Sequence, residues 1–206
     1  MTKSICSHEF DDVCKILDEI SHETEQMTAK AFDGLLRHNR ESLSEAEKVG
    51  ARIEQAAKKL NQAVIAAREE SKVLPSTTII EVNSELKKIK YSLDKTVEQI
   101  RIKADDGLLF SDKALSELKD FFTAALEGLQ NVHDLILTKN PVIISHIIER
   151  SDKYEAIGRK YAEEHQERLI RGICLPKSSL VYLVILDSLK DILRYLKAIA
   201  LAFKEE

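Results

Sequence analysis

Tryptophan is absent from the 206-residue chain, and glycine and proline occur only six and three times. So few turn formers require long elements joined by short connections. Cysteine is equally sparse: Cys6, Cys14 and Cys174 are odd in number and form no Cys-x-x-Cys pair. Neither a disulfide framework nor a zinc site is expected from them, and a reducing cytoplasm fits. The opening segment MTKSICSHEFDD lacks the apolar core of a signal peptide. No long uninterrupted hydrophobic run exists either, because the richest stretch, 180–203, is broken by Asp187, Lys190, Asp191 and Arg194. Four central charges exclude a membrane span. A basic stripe is also missing, since 31 Lys and Arg are interspersed with 35 Asp and Glu for a net charge of −4. That balance excludes nucleic acid as a partner. Glycine-rich phosphate loops and nucleophile elbows are absent, and the six histidines (His8, His22, His38, His133, His146, His165) form no His-x-x-x-His. With loops too short to hold clustered polar groups, the chain is expected not to be an enzyme.

What is present is the composition of amphipathic helices. Hydrophobic residues make up 44% and charged residues 32%, enough for a real core with one solvated face per helix. Apolar residues recur at alternating spacings of three and four, the mark of helices in bundles. The first stripe is Phe10, Val13, Leu17, Ile20, Thr24, Met27, Ala31 and Leu35. The second is Ala46, Val49, Ile53, Ala56, Leu60 and Val64. The third, starting after Pro75, is Ile79, Val82, Leu86, Ile89, Leu93, Val97 and Ile100, with Gly107 as its stop. Thr78-x-x-Glu81 is a candidate capping box at its start. The fourth stripe is Leu115, Leu118, Phe122, Ala125, Leu129, Val132 and Ile136. Asn140-Pro141 then reads as an N-cap with proline at the first helical position, opening a fifth helix that runs to about Gly172. Pro176 opens the sixth.

The connections repeat at one interval. Asn39 and Asn140 are 101 residues apart, and so are Pro75 and Pro176. After the prolines, Ser76-Thr77-Thr78-Ile79-Ile80 aligns with Lys177-Ser178-Ser179-Leu180-Val181. A duplicated three-helix unit explains both, with 1–106 and 107–206 as the repeats. The expected fold is therefore all-α: six long antiparallel helices forming two tandem three-helix bundles packed side by side.

With this duplication in view, the chain resembles the PhoU family over its whole length, and within it the PhoU-like domain of sodium/phosphate cotransporters. The segments that carry the likeness are HQERLIRG (165–172), Pro176, SSLVYLVILDSLKDILRYLKAIA (178–200) and MTAKAFDGLLRHNRESLSEAEKV (27–49). The resemblance implies a cytoplasmic regulator of phosphate homeostasis that docks on a membrane phosphate transporter or its sensor kinase, at the inner face of the membrane. Many family members hold iron or other metals through an acidic motif in the third helix of each repeat. Here the matching stretches are Leu189-Lys190-Asp191-Ile192-Leu193-Arg194-Tyr195 and Leu86-Lys87-Lys88-Ile89-Lys90-Tyr91-Ser92. Lys190, Arg194 and Tyr195 stand where acids and a histidine are expected, so that metal site does not carry over.

Carboxylates one turn apart survive at Asp187 with Asp191, Asp94 with Glu98, and Glu81 with Glu85. Each pair is either part of a solvated face or a pair of oxygen ligands for a divalent metal or iron. The second option defines an alternative function, a metal-binding bundle; a third is an adaptor for another ion transport system, such as potassium. Asp187 and Asp191 stand out because a carboxylate in an apolar helix is usually paired or functional. Glu19-x-x-His22 matches one element of di-iron bundles, but no second copy exists. The sixth helix is apolar on most sides, which suits either a central helix shared by both bundles or an exposed strip for a partner or a homodimer.

Overall fold

The computed structural model describes residues 11–71 and 77–204, with side chains described over 12–66 and 77–204. Six helices fill them: α1 (Asp11–Arg37), α2 (Arg40–Ser71), α3 (Thr77–Asp105), α4 (Asp112–Thr138), α5 (Pro141–Ile170) and α6 (Pro176–Lys204). No strand occurs among the described residues. Phe10, Pro75 and His8 lie outside them.

The apolar stripes become one continuous core. Every described residue of the first and third stripes is buried, including Thr24, whose Oγ1 returns a hydrogen bond to the carbonyl of Ile20 at 2.6 Å. The fourth stripe is rotated slightly from its expected setting. Ala114 and Glu117 are buried, while Leu115 stands at the edge. Thr78 is the second residue of α3, and its hydroxyl donates to the Ala202 carbonyl at 3.5 Å. A capping-box residue must stand before the helix, so that expectation is corrected.

Repetition is visible in the turns. His38 (φ 54°) and Lys139 (φ 51°) both adopt the left-handed conformation that ends a helix, and both precede an asparagine. Asn39 Oδ1 accepts from the amides of Glu41 and Ser42 at 3.0 and 3.3 Å, and Asn140 Oδ1 accepts from Val142 at 2.9 Å. Each cap satisfies first-turn donors that the helix itself cannot. Asn140→Ala is expected to cost about 1 kcal/mol of unfolding free energy in urea titration, and Asn39→Ala a similar amount.

Cross-helix pairs give the directions. Glu23–Arg52 with Lys30–Glu45 sets α1 antiparallel to α2, and Glu47–Arg101 with Glu54–Lys90 sets α2 antiparallel to α3. Glu127–Arg150 with Glu117–Arg168 sets α4 antiparallel to α5, and Asp152–Lys197 with the ring contact of His165 and Tyr182 sets α5 antiparallel to α6. The repeats meet through α1 on α4 and α3 on α6. Exchanging the halves maps every helix contact onto another, since α1–α3 corresponds to α4–α6 and α2–α3 to α5–α6. The result is a central layer of α1, α3, α4 and α6 flanked by α2 and α5. Phe32 on α1 stacks on Phe122 of α4 across the repeat boundary, centroids 4.8 Å apart and planes 10° from parallel.

Helix α6 packs on α3, α4 and α5, which settles its two readings in favour of the central one. Of its apolar residues, Val181, Ile185, Leu186, Leu189, Ile192, Leu193, Leu196 and Ile199 are buried, and Leu180 is exposed. An exposed docking or dimer strip on α6 is therefore corrected: three neighbours, not one, need apolar surface from it.

Cys14 is disulfide-bonded, whereas Cys174 is free. An odd count excludes full pairing but leaves room for one pair. The bond withdraws the support that unpaired cysteines lent to a reducing compartment. Among the described residues no helix is long and apolar enough to cross a membrane.

Candidate functional site

Asp187 and Asp191 lie in one of two grooves related by the repeat and Asp94 in the other, whereas Glu81, Glu85 and Glu98 line neither. The first groove, of about 760 Å³, lies between α5 and α6 and includes Glu155, Arg159, Asp187, Lys190, Asp191 and Arg194. Its counterpart between α2 and α3, of about 420 Å³, includes Glu54, Lys58, Lys90 and Asp94. Glu54 and Glu155 stand one repeat apart, as do Lys58 and Arg159.

Cations answer the acids within these grooves. Lys190 Nζ meets Asp187 at 2.9 Å, and Arg194 meets Asp191 at 3.0 Å. In the first repeat Lys90 bridges Asp94, at 2.8 Å, and Glu54. Lys88 meets Glu85 at 2.6 Å, while Glu81 and Glu98 are exposed. In the second repeat, the positions where the resemblance expects metal-binding acids thus carry Lys190 and Arg194, which pair with Asp187 and Asp191. No group of three His, Cys, Asp or Glu side chains among the described residues is arranged to hold a metal ion. Such half-exposed pairs contribute little, because water screens them and ordering long side chains costs entropy. Asp187→Ala and Asp191→Ala are each expected to change unfolding free energy by about 0.5 kcal/mol or less. A larger loss, or stoichiometric metal that disappears with either substitution, would restore the metal reading.

The described histidines serve separate contacts. His133 meets Asp18 across α1 and α4 at 2.7 Å, and His146 meets Glu127 at 3.4 Å. His38 lies 3.3 Å from the buried Lys103, and His22 contacts Gln26 at 3.0 Å. Glu19 and His22 are both exposed on α1 and find no second Glu-x-x-His.

The densest polar cluster was not anticipated from the sequence. Glu117 on α4 is only 1% exposed, and three groups from other helices or the preceding turn converge on it. Arg168 on α5 donates through Nη1 to Oε1 at 3.2 Å and through Nη2 to Oε2 at 2.8 Å. Tyr182 on α6 donates its hydroxyl to Oε2 at 2.6 Å, and Lys113 lies 3.7 Å away. His165 stacks on Tyr182 with centroids 4.1 Å apart. Burial, and then the hydrogen bond to Glu117, push the Tyr182 phenol far above its ordinary range. Burial and the adjacent Arg168 guanidinium hold His165 below the usual histidine value, so its ring is neutral. One turn along α4, Asp120 accepts from Tyr154 at 2.8 Å and Tyr161 at 3.1 Å, and burial with this carboxylate pushes both phenols up to about 12. Phenols so raised do not exchange protons near neutrality. The chemistry available is cross-linking of α4, α5 and α6 by satisfied buried hydrogen bonds.

One signal for this cluster was legible. Glu117 falls three residues after Ala114 and four before Phe121, on the core side of α4, where an acid demands a partner.

Among solved structures, the chain is similar to PhoU from Pseudomonas aeruginosa, with a TM-score of 0.85, 14% sequence identity, and 95% of each chain covered. No protein-family model matches the sequence, and no curated protein sequence matches it. The fold is PhoU-like: the similarity covers 95% of this chain, whose six helices have the expected all-α architecture.

Proposed function

We propose that this PhoU-like chain is a non-enzymatic regulator of phosphate transport, acting from the cytoplasmic face of a membrane by docking on a phosphate transporter or its sensor kinase. The observation that carries the reading is the end-to-end match to a PhoU, which leaves no room for an added catalytic domain within the described residues. The chemistry of the chain supports it. The buried Glu117, Arg168 and Tyr182 are committed to helix cross-links, and Asp187 and Asp191 in the larger groove are matched by cations. The exposed helix faces are the surface a regulator by contact would use. The proposed function needs no resident metal.

Phosphate uptake by cells lacking the chain tests this. Uptake that no longer adjusts to phosphate supply, and recovers when the wild-type chain is restored, is the expected result. An unchanged phosphate response, or a defect confined to potassium uptake, would contradict it.

A further inference from the structure

At the end of the bundle where α3 turns into α4 and α5 into α6, a cavity of about 280 Å³ lies beneath the turn 171–175. Leu109, Ile173 and Leu175 rim it and are 80%, 64% and 70% exposed. Its other walls mix apolar Phe110, Ala114 and Cys174 with a polar side formed by Ser111, His165, Ser178 and Ser179. His165, Ser178 and Ser179 line it, at 2%, 5% and 1% exposure, and the Nε2 and both Oγ atoms have no hydrogen-bond partner among the described residues.

The hydrogen-bond roles follow from neighbours. Arg168 can only donate, so its Nη2 contact at 3.2 Å makes His165 Nδ1 an acceptor. The neutral ring then carries its proton on Nε2, leaving a buried donor without an acceptor. Arg168 Nε is likewise buried without a hydrogen-bond partner among the described residues, though Arg168 itself does not line the cavity. The two serine hydroxyls swing about a single bond and can also donate.

Helix α6 begins at this cavity, and its start differs from those of α2, α4 and α5. Asn39, Ser111 and Asn140 cap those helices with side-chain oxygens. The residue before α6 is Leu175, followed by Pro176, and a leucine side chain accepts no hydrogen bond. The first-turn amides of Lys177 and Ser178 therefore have no side-chain cap from that residue, at the positive end of a 29-residue helix. A cavity with several donors, a helix N-terminus and few free acceptors suits a ligand that brings negative oxygens.

We propose that this cavity binds a small oxyanion, a carboxylate or a phosphate- or sulfate-type group, through His165 Nε2, the Ser178 and Ser179 hydroxyls and the first turn of α6. The inference is independent of the transport reading, because it rests on this cavity alone.

The test is titration of isotope-labelled full-length protein with sodium acetate, sodium phosphate and sodium sulfate, against sodium chloride at equal ionic strength. Saturable shifts of the His165 Nε2–H and of the Lys177 and Ser178 amides with at least one of the oxyanions are expected, and the anion that saturates first identifies the class. Ser178→Ala/Ser179→Ala should retain the fold and bind that anion roughly tenfold more weakly or worse. Wild-type signals that never saturate, or that move equally with chloride, would overturn the proposal. So would a double variant that folds and binds as well as wild type. Should the double variant fail to fold, the wild-type titration and Ser178→Ala decide alone.

Discussion

Glu117→Ala is expected to lower the unfolding free energy by about 3–5 kcal/mol, among the largest losses from any single substitution in the chain. The cost comes from what remains. Arg168, with its side chain 16% exposed, loses both carboxylate oxygens, and the fully buried Tyr182 hydroxyl loses its acceptor. An uncompensated buried charge and an unmatched hydroxyl each demand desolvation without return. Replacing the pair together should be far milder: Glu117→Leu with Arg168→Leu removes both charges, and apolar replacements of buried ion pairs are often neutral. Urea unfolding of Glu117→Leu, Arg168→Leu and the double variant measures this as a cycle. A loss below about 1 kcal/mol for Glu117→Ala would show that water reaches the pair.

Phe122→Ala is expected to cost about 3–5 kcal/mol, for a different reason. Phe122 is fully buried and stacks on Phe32, so its ring fills space that belongs to both repeats. Its removal leaves a cavity at the seam which rigid helices close only in part. Because the repeats share one core through α1 on α4 and α3 on α6, the wild-type chain should unfold in a single transition. The variant should show an earlier midpoint, and a split into two transitions would mean that the seam is what couples the halves. Leu137→Ala, on the same helix but 61% exposed, supplies the contrast and should change stability by less than about 0.5 kcal/mol.

Periodicity and turn chemistry made most of this fold legible. The 3–4 spacing located all six helices, and the pairs Asn39 and Asn140 placed two turns that the structure builds alike, down to a left-handed residue before each cap. Those are local features, set by residues adjacent in the chain. Tertiary assignments fared less well. The breadth of the apolar face on α6 fits a helix with three neighbours as well as one with an open side, and only the packing of α3, α4 and α5 decides. The Glu117 cluster was hidden because its members are spread over 113–182 and come together only when α4, α5 and α6 close. The acidic pairs Asp187 with Asp191 and Asp94 with Glu98 were legible as residues but not as chemistry. Their fate depends on where Lys190, Arg194 and Lys90 extend, which spacing does not fix.

The claim that the chain regulates phosphate transport by contact is tested most directly by affinity capture of the tagged protein from solubilised membranes of its own cells, grown with ample and with limiting phosphate. Mass spectrometry should identify a phosphate transporter or its sensor kinase, in amounts that change with phosphate supply. Recovery of neither, or of a potassium transport system in their place, would contradict the account while leaving the PhoU-like fold intact.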